Sequence, residues 1–139
     1  MKVCTDACVF GGWLANKMTI IGRDSQNFLD IGTGTGLLSL MVAQKSSVEI
    51  DAIEIEENAF VQARENFRSS PWSKVLHAIH GDVTTYPFRK KYDLIICNPP
   101  FYESDLRSPD DKKNQARHDE SLRLDELVNV VSNLLNSDG

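Results

Sequence analysis

The run FLDIGTGTGLLSLMVAQ, residues 28–44, passes from an extended apolar segment through three alternating glycines straight into a helix. That order constrains the fold more than any other feature of the chain. FLDIG (28–32) reads as a short strand ending at a glycine. LLSLMVAQ (37–44) reads as a helix of good formers, apolar nearly all round and therefore buried. The alternation then repeats. VEIDAIEI (48–55) mixes β-branched and acidic residues as a strand, and EENAFVQARENFRSS (56–70) sets Ala59, Phe60, Ala63 and Phe67 on one helix face before Pro71 ends it. KVLHAIHGD (74–82) is a third strand. YDLIICN (92–98) is a fourth, a near-continuous apolar run suited to a parallel strand buried on both faces.

Around this frame lie less regular pieces. DACVFGGWLAN (6–16) reads as a short helix or helical turn, and RDSQN (23–27) as a polar turn. A polar stretch at 103–121 is longer than a structureless loop in a compact domain usually is. LDELVNVVSNLL (124–135) carries a helical stripe, with NSDG as its stop and no strand after it. The class is α/β, a mostly parallel sheet with helices on both faces.

The 139 residues suit one domain spanning 1–139. With 41% hydrophobic and 25% charged residues, neither a disordered nor a membrane class is indicated, and the apolar runs are too short to cross a bilayer. No basic-then-apolar leader opens the sequence, which points to the cytoplasm. Three cysteines (Cys4, Cys8, Cys97) fit reduced thiols. Cys4 and Cys8, one helical turn apart, find no Cys or His pair to complete a metal site, so buried small side chains are expected there, with no metal. A net charge of −5 lacks the basic footprint of a nucleic-acid binder. Local clusters at Arg89-Lys90-Lys91, Lys112-Lys113 and Arg117 keep RNA contact open.

The loop DIGTGTG (30–36) joins the first strand to its helix. Gly32, Gly34 and Gly36 allow a tight turn and close approach of a ligand, and the helix N-terminus behind them offers free N–H groups. A dinucleotide loop is G-x-G-x-x-G; here the spacing is G-x-G-x-G, one residue shorter, with Asp30 in front. Glu54 ends the second strand, where a carboxylate can accept both hydroxyls of a ribose; Glu56 and Glu57 are its rivals. Gly81-Asp82 closes the third strand, where a carboxylate can accept an amino group. CNPPF (97–101) follows the fourth strand. All these groups fall at the carboxyl ends of strands, where open α/β sheets bind ligands. Pro99 and Pro100 remove backbone donors and leave carbonyls free, Asn98 adds a side-chain carbonyl, and Phe101 offers a face for an aromatic base. Two acceptors side by side can hold the two hydrogens of a planar –NH2 and favour a pyramidal, nucleophilic nitrogen.

The glycine loop resembles motif I of the class I S-adenosylmethionine-dependent methyltransferases, and NPPF resembles the Asn-Pro-Pro-aromatic motif IV of amino-methyltransferases. Five stretches extend the likeness over nearly the whole chain: MKVCTDACVFGGWLA (1–15), LDIGTGTGLLSLMVAQ (29–44), IDAIEIEENAFVQARENFRSSPW (50–72), YDLIICNPPFY (92–102) and ARHDESLRLDEL (116–127). Together they resemble the bacterial tRNA adenine-N6 methyltransferases that act on adenosine 37 of a valine tRNA. The resemblance implies a Rossmann-like fold and S-adenosylmethionine as cofactor, a ligand without phosphate whose sulfonium and ammonium suit the acid at Asp30. It implies Glu54 on the ribose, Asp82 on the adenine amine, and Thr5 and Asp6 against the methionine end. It implies Asn98 to Phe101 as the catalytic segment, with Asn98 also among the cofactor contacts, reached by a base that has left its stack, with the basic clusters on tRNA phosphates. The chain departs from the family at Cys4, where glycine is usual. Family chains also continue on both sides, so the last strands are expected to be missing here, leaving an exposed edge, apolar surface on the last helix and low stability. Methylation of another NH2 group (guanine N2 in rRNA, glutamine N5), a nicotinamide-dependent oxidoreductase and a binding domain without turnover are the alternatives. His77, His80 and His118 receive no role.

Overall fold

Successive side chains of a strand face opposite ways, so consecutive apolar positions demand cover on both faces. In β1 (Asn27–Ile31) four of the five residues are buried. A computed structural model describes residues 5–21, 27–98 and 123–139. The remaining elements are α1 (Thr5–Ile21), α2 (Leu37–Ala43), β2 (Glu49–Glu54), α3 (Glu57–Ser69), β3 (Leu76–His80), β4 (Leu94–Cys97) and α4 (Leu124–Leu134). The described strands form one sheet in the order β3-β2-β1-β4, every pair parallel. The sheet separates two apolar clusters. Phe28, Ile50, Ala52, Leu76 and Ile96 pack with Leu14 and Met18 of α1, Leu38 and Val42 of α2 and Ala63 and Phe67 of α3. Leu29, Ile31, Ile53 and Tyr92 pack on the other face, against Leu127, Val130, Val131 and Leu134 of α4. Helices therefore lie on both faces, as the alternation requires.

Some local expectations change. The segment expected as a short turn of helix is a 17-residue helix. Gly11 sits in its middle because α2 passes close by: a Cβ there would lie 2.4 Å from Met41 Sδ. Cys8, expected inside, is exposed, since burial along α1 begins only at Gly11; Cys4 lies outside the described residues. β2 is a strand as its pattern predicts, and two of its acids, Asp51 and Glu54, are buried because β2 is an inner strand. β4 is at the border of the described sheet, and of its four residues only Ile96 is buried.

The end of α4 does turn toward the sheet. Leu135 forms a parallel bridge with Tyr92, through Tyr92 N to Leu134 O (2.8 Å) and Asn136 N to Tyr92 O (2.8 Å). Asp93 ties both ends together, accepting from Asn136 Nδ2 at 2.6 Å and from Asn27 N at 3.1 Å. Leu124 and Val128 on the outer side of α4 are exposed.

One buried polar link crosses this core. Tyr92 Oη donates to Asp51 Oδ2 at 2.7 Å, and Lys90 Nζ lies 3.0 Å from the same oxygen. Burial, reinforced by Asp51, pushes the phenol well above its ordinary range, so it stays a donor. Tyr92→Phe is expected to lower unfolding free energy by about 1–3 kcal/mol, the cost of leaving a buried acceptor short of a donor. Urea denaturation checks this; an unchanged midpoint shows that Lys90 alone satisfies Asp51.

Candidate active site at the carboxyl ends of the strands

The three glycines of the loop all have left-handed backbones, with φ of 67° at Gly32, 59° at Gly34 and 82° at Gly36. Side-chain-bearing residues avoid this region, which explains the alternation. Gly36 has a second reason. A Cβ there would meet Phe67 of α3 at 2.4 Å. Backbone bonds hang the loop on β2: Gly32 N and Thr33 N both donate to Ile53 O, at 2.9 and 3.2 Å. Asn66 Nδ2 of α3 holds Thr35 O at 2.9 Å.

The carboxylates divide into distinct jobs. Glu54 leans into the loop: its Oε2 accepts from Gly34 N at 2.8 Å and its Oε1 from Glu56 N at 3.0 Å. Its rival Glu56 is occupied in capping α3, accepting from Asn58 N (3.0 Å) and Ala59 N (2.8 Å), and these backbone donors lower its pKa. Glu57 opens the exposed first turn of α3. Asp30 is completely buried beneath the loop, where its Oδ2 accepts from Thr33 Oγ1 and Ser39 Oγ, both at 2.7 Å. Burial raises its pKa, the two hydroxyls oppose that, and Glu54 adds to it. Asp82, past the end of β3, uses Oδ1 to accept from Thr84 N (2.8 Å) and Thr84 Oγ1 (2.7 Å), an ordinary Asx turn.

Neighbouring strands bring the two halves of the site together. Ile31 pairs with Cys97 across β1 and β4, so the glycine loop and Asn98 leave the sheet side by side. Asn98 is half-buried. Burial, then the Asp30 charge, pushes the Cys97 thiol up to about 11, so it is a neutral neighbour and no thiolate nucleophile. Pro99, Pro100 and Phe101 lie outside the described residues, as do Lys112, Lys113, Arg117 and His118. Thr5 and Asp6 form the exposed start of α1. The Arg89–Lys91 cluster does not flank this site. It precedes β4 at the amino end of the sheet, where Lys90 pairs with Asp51 and lies 3.9 Å from Glu49. An open groove of about 430 Å³ lies at that same far end, lined by Lys45, Trp72 and Lys74 among others.

Several residues here had no role at the loop assigned from sequence. Asn66, Phe67 and Ser39 shape the loop, and Ile55 is a strongly exposed apolar side chain beside Glu54. A serine inside LLSLMVA was a readable signal; Asn66, 31 residues from its partner, was not.

The family model for the methyltransferase small domain matches residues 13–116. The chain belongs to this family. Among curated relatives of this methyltransferase domain, one from Dyadobacter fermentans named tRNA1(Val) (adenine(37)-N6)-methyltransferase is 49% identical over all of this chain and 56% of its own length. A relative of the same name from Cytophaga hutchinsonii is 45% identical, with 57% of its length covered. The chain thus spans a little over half the length of the curated relatives it matches. Solved structures give the same architecture. A glycopeptide N-methyltransferase, MtfA, bound to sinefungin superposes with a TM-score of 0.66 at 16% identity, over 93% of this chain and 47% of that one. The same enzyme bound to S-adenosylmethionine gives 0.64 at 16% identity, over 97% of this chain and 50% of that one. The fold is that of the class I methyltransferases.

Proposed function

We propose that the protein binds S-adenosylmethionine and transfers its methyl group to the N6 amine of an adenine in tRNA, adenosine 37 of a valine tRNA by the names of its relatives. The observation that carries the reading is the Ile31–Cys97 register, which brings the glycine loop and Asn98 to one end of adjacent strands. The donor set fits this cofactor better than a dinucleotide. Gly34 N–H, a group that would greet a phosphate, already donates to Glu54, and Asp30 lies buried beneath. A pyrophosphate here would meet two carboxylates, whereas hydroxyl and ammonium donors find acceptors. Glu54 keeps lone pairs free for ribose hydroxyls, Ile55 supplies an apolar wall beside it, and Asp82 retains Oδ2 for an amino group. Asp30, with no exposed surface, acts through its charge under the loop. Thr5 and Asp6 belong to the methionine end by the family resemblance.

When bound, S-adenosylmethionine supplies an electrophilic methyl group on a sulfonium. By the resemblance to motif IV, the side-chain carbonyl of Asn98 and the backbone carbonyl of Pro99 would accept the two amine hydrogens and Phe101 would stack on the base. Orientation and stabilisation of the nitrogen as it becomes positive lower the barrier, and the proton leaves afterwards to water. The neutral Cys97 thiol takes no part. Labelled S-adenosylmethionine with unmodified bulk tRNA, followed by nucleoside analysis, tests the reading. N6-methyladenosine is expected; label in guanosine or in protein glutamine reassigns the acceptor, and absence of both transfer and S-adenosylhomocysteine binding removes the cofactor reading.

A further inference from the structure

Ser39 interrupts the apolar helix LLSLMVA and is completely buried. A buried hydroxyl is tolerated when it is hydrogen-bonded. Its partner is Asp30 Oδ2, which also receives the Thr33 hydroxyl, both at 2.7 Å. One carboxylate oxygen thus joins three pieces of chain: the end of β1, the glycine loop and the first turn of α2. Residues 31–38, with three left-handed glycines, are closed between these anchor points. The other oxygen, Oδ1, is buried without a hydrogen-bond partner among the described residues. The two hydroxyls are therefore the side-chain donors that sustain a charge at this position.

We propose that Thr33 and Ser39 are positioning residues for the cofactor loop: acting through Asp30, they hold the loop against α2 and keep a carboxylate charged beneath it, so that affinity for an ammonium-bearing ligand depends on pH. The inference rests on the reading of the loop as the S-adenosylmethionine site. It is supported by the electrostatics around Asp30. Burial raises its pKa, both hydroxyls lower it, and Glu54 from the end of β2 raises it. Cys97, on the neighbouring strand β4 with its thiol toward the other face of the sheet, stays uncharged below about 11. The sign follows. Lowering pH through the raised pKa of Asp30 neutralises the carboxylate and weakens binding. Removing a hydroxyl donor raises that pKa further and moves the loss of affinity to higher pH.

Calorimetric titration of the chain with S-adenosylhomocysteine, repeated between about pH 5 and pH 8, reads this out. Thr33→Val keeps the shape and removes the hydroxyl; Thr33→Ser keeps the hydroxyl. Thr33→Val is expected to bind about tenfold more weakly on the acid side, the equivalent of one charge-assisted hydrogen bond. Its half-loss point should move upward by up to about one pH unit, with Thr33→Ser following the unmodified chain. Ser39→Ala, which removes the second donor, is expected to shift the profile the same way and serves if Thr33→Val does not fold. A Thr33→Val profile that superimposes on the unmodified one, or one weakened equally at every pH, overturns the inference and leaves the site reading intact. So does a Thr33→Ser variant as impaired as Thr33→Val. An unmodified chain that binds no S-adenosylhomocysteine at any pH overturns the site reading, and this inference with it.

Discussion

Asn98→Ala is expected to lower methyl transfer to tRNA by about 10²–10³-fold, the loss typical of removing one preorganised polar group aimed at a developing charge. In the proposed mechanism the substitution takes away an acceptor for an amine hydrogen at the point where the nitrogen becomes positive. The residue before it cannot replace that acceptor, because the Cys97 thiol is uncharged and points from β4 into the cluster under α4. Cofactor affinity should change by less than about tenfold, since the carboxylates and the glycine loop on β1 and β2 remain intact. Single-turnover transfer of labelled methyl, measured beside S-adenosylhomocysteine titration, separates the two effects. Equal rates for the variant and the unmodified chain sink the assignment of Asn98. Loss of binding as large as loss of transfer makes Asn98 a cofactor ligand first.

Gly36→Ala should produce the other large effect, on stability and binding together. The residue has φ of 82°, and an added Cβ would lie 2.4 Å from Phe67 Cε1 and 2.8 Å from its Cζ. The backbone penalty is about 1–2 kcal/mol. Overpacking against a buried ring adds roughly 1–3 kcal/mol, because Phe67 is only 2% exposed and its surroundings are filled. The sum, about 2–5 kcal/mol, corresponds to a fall in melting temperature on the order of 10 °C for a chain of this size. Phe67→Leu in the same background should recover part of the packing loss and none of the backbone loss. The double-mutant cycle therefore yields a favourable coupling. A melting curve unchanged by Gly36→Ala shows that α3 moves away at no cost, and that the loop is not braced as described.

The division between what was legible and what was not follows the distance over which each interaction acts. The strand–loop–helix unit at 28–44 could be read because its signals are local: apolar period, glycine spacing and helix formers are adjacent. Helix α3 was legible for the same reason, with Ala59, Ala63 and Phe67 one turn apart and buried together. The positions of Glu54 and Asp82 at strand ends followed from the same reading, whereas the bonds they make did not. Glu54 and Glu56 are two residues apart and chemically alike. One caps its own helix, and the other reaches twenty residues back to Gly34. Nothing local separates those outcomes.

Long-range packing also reversed some expectations. The pattern of β2 showed a strand but not its place in the sheet; as an inner strand it buries Asp51, which takes Tyr92 and Lys90 as partners. That ion pair engages Lys90, and the Arg89–Lys91 cluster lies at the opposite end of the sheet from the glycine loop. The length of α1 was obscured by Gly11-Gly12, because glycine is read as a helix breaker until the nearby Met41 explains why no larger side chain fits.

The sequence by itself determined the class of fold, the order of its elements and the end of the sheet at which the candidate residues gather, since periodicity and turn residues act between neighbours in the chain. Only the tertiary structure decided which carboxylate serves the loop, which lysine is already taken, and why Ser39 and Phe67 matter. Those outcomes depend on burial and on partners up to tens of residues away, and a buried polar group is satisfied by whatever the fold brings within about 3 Å.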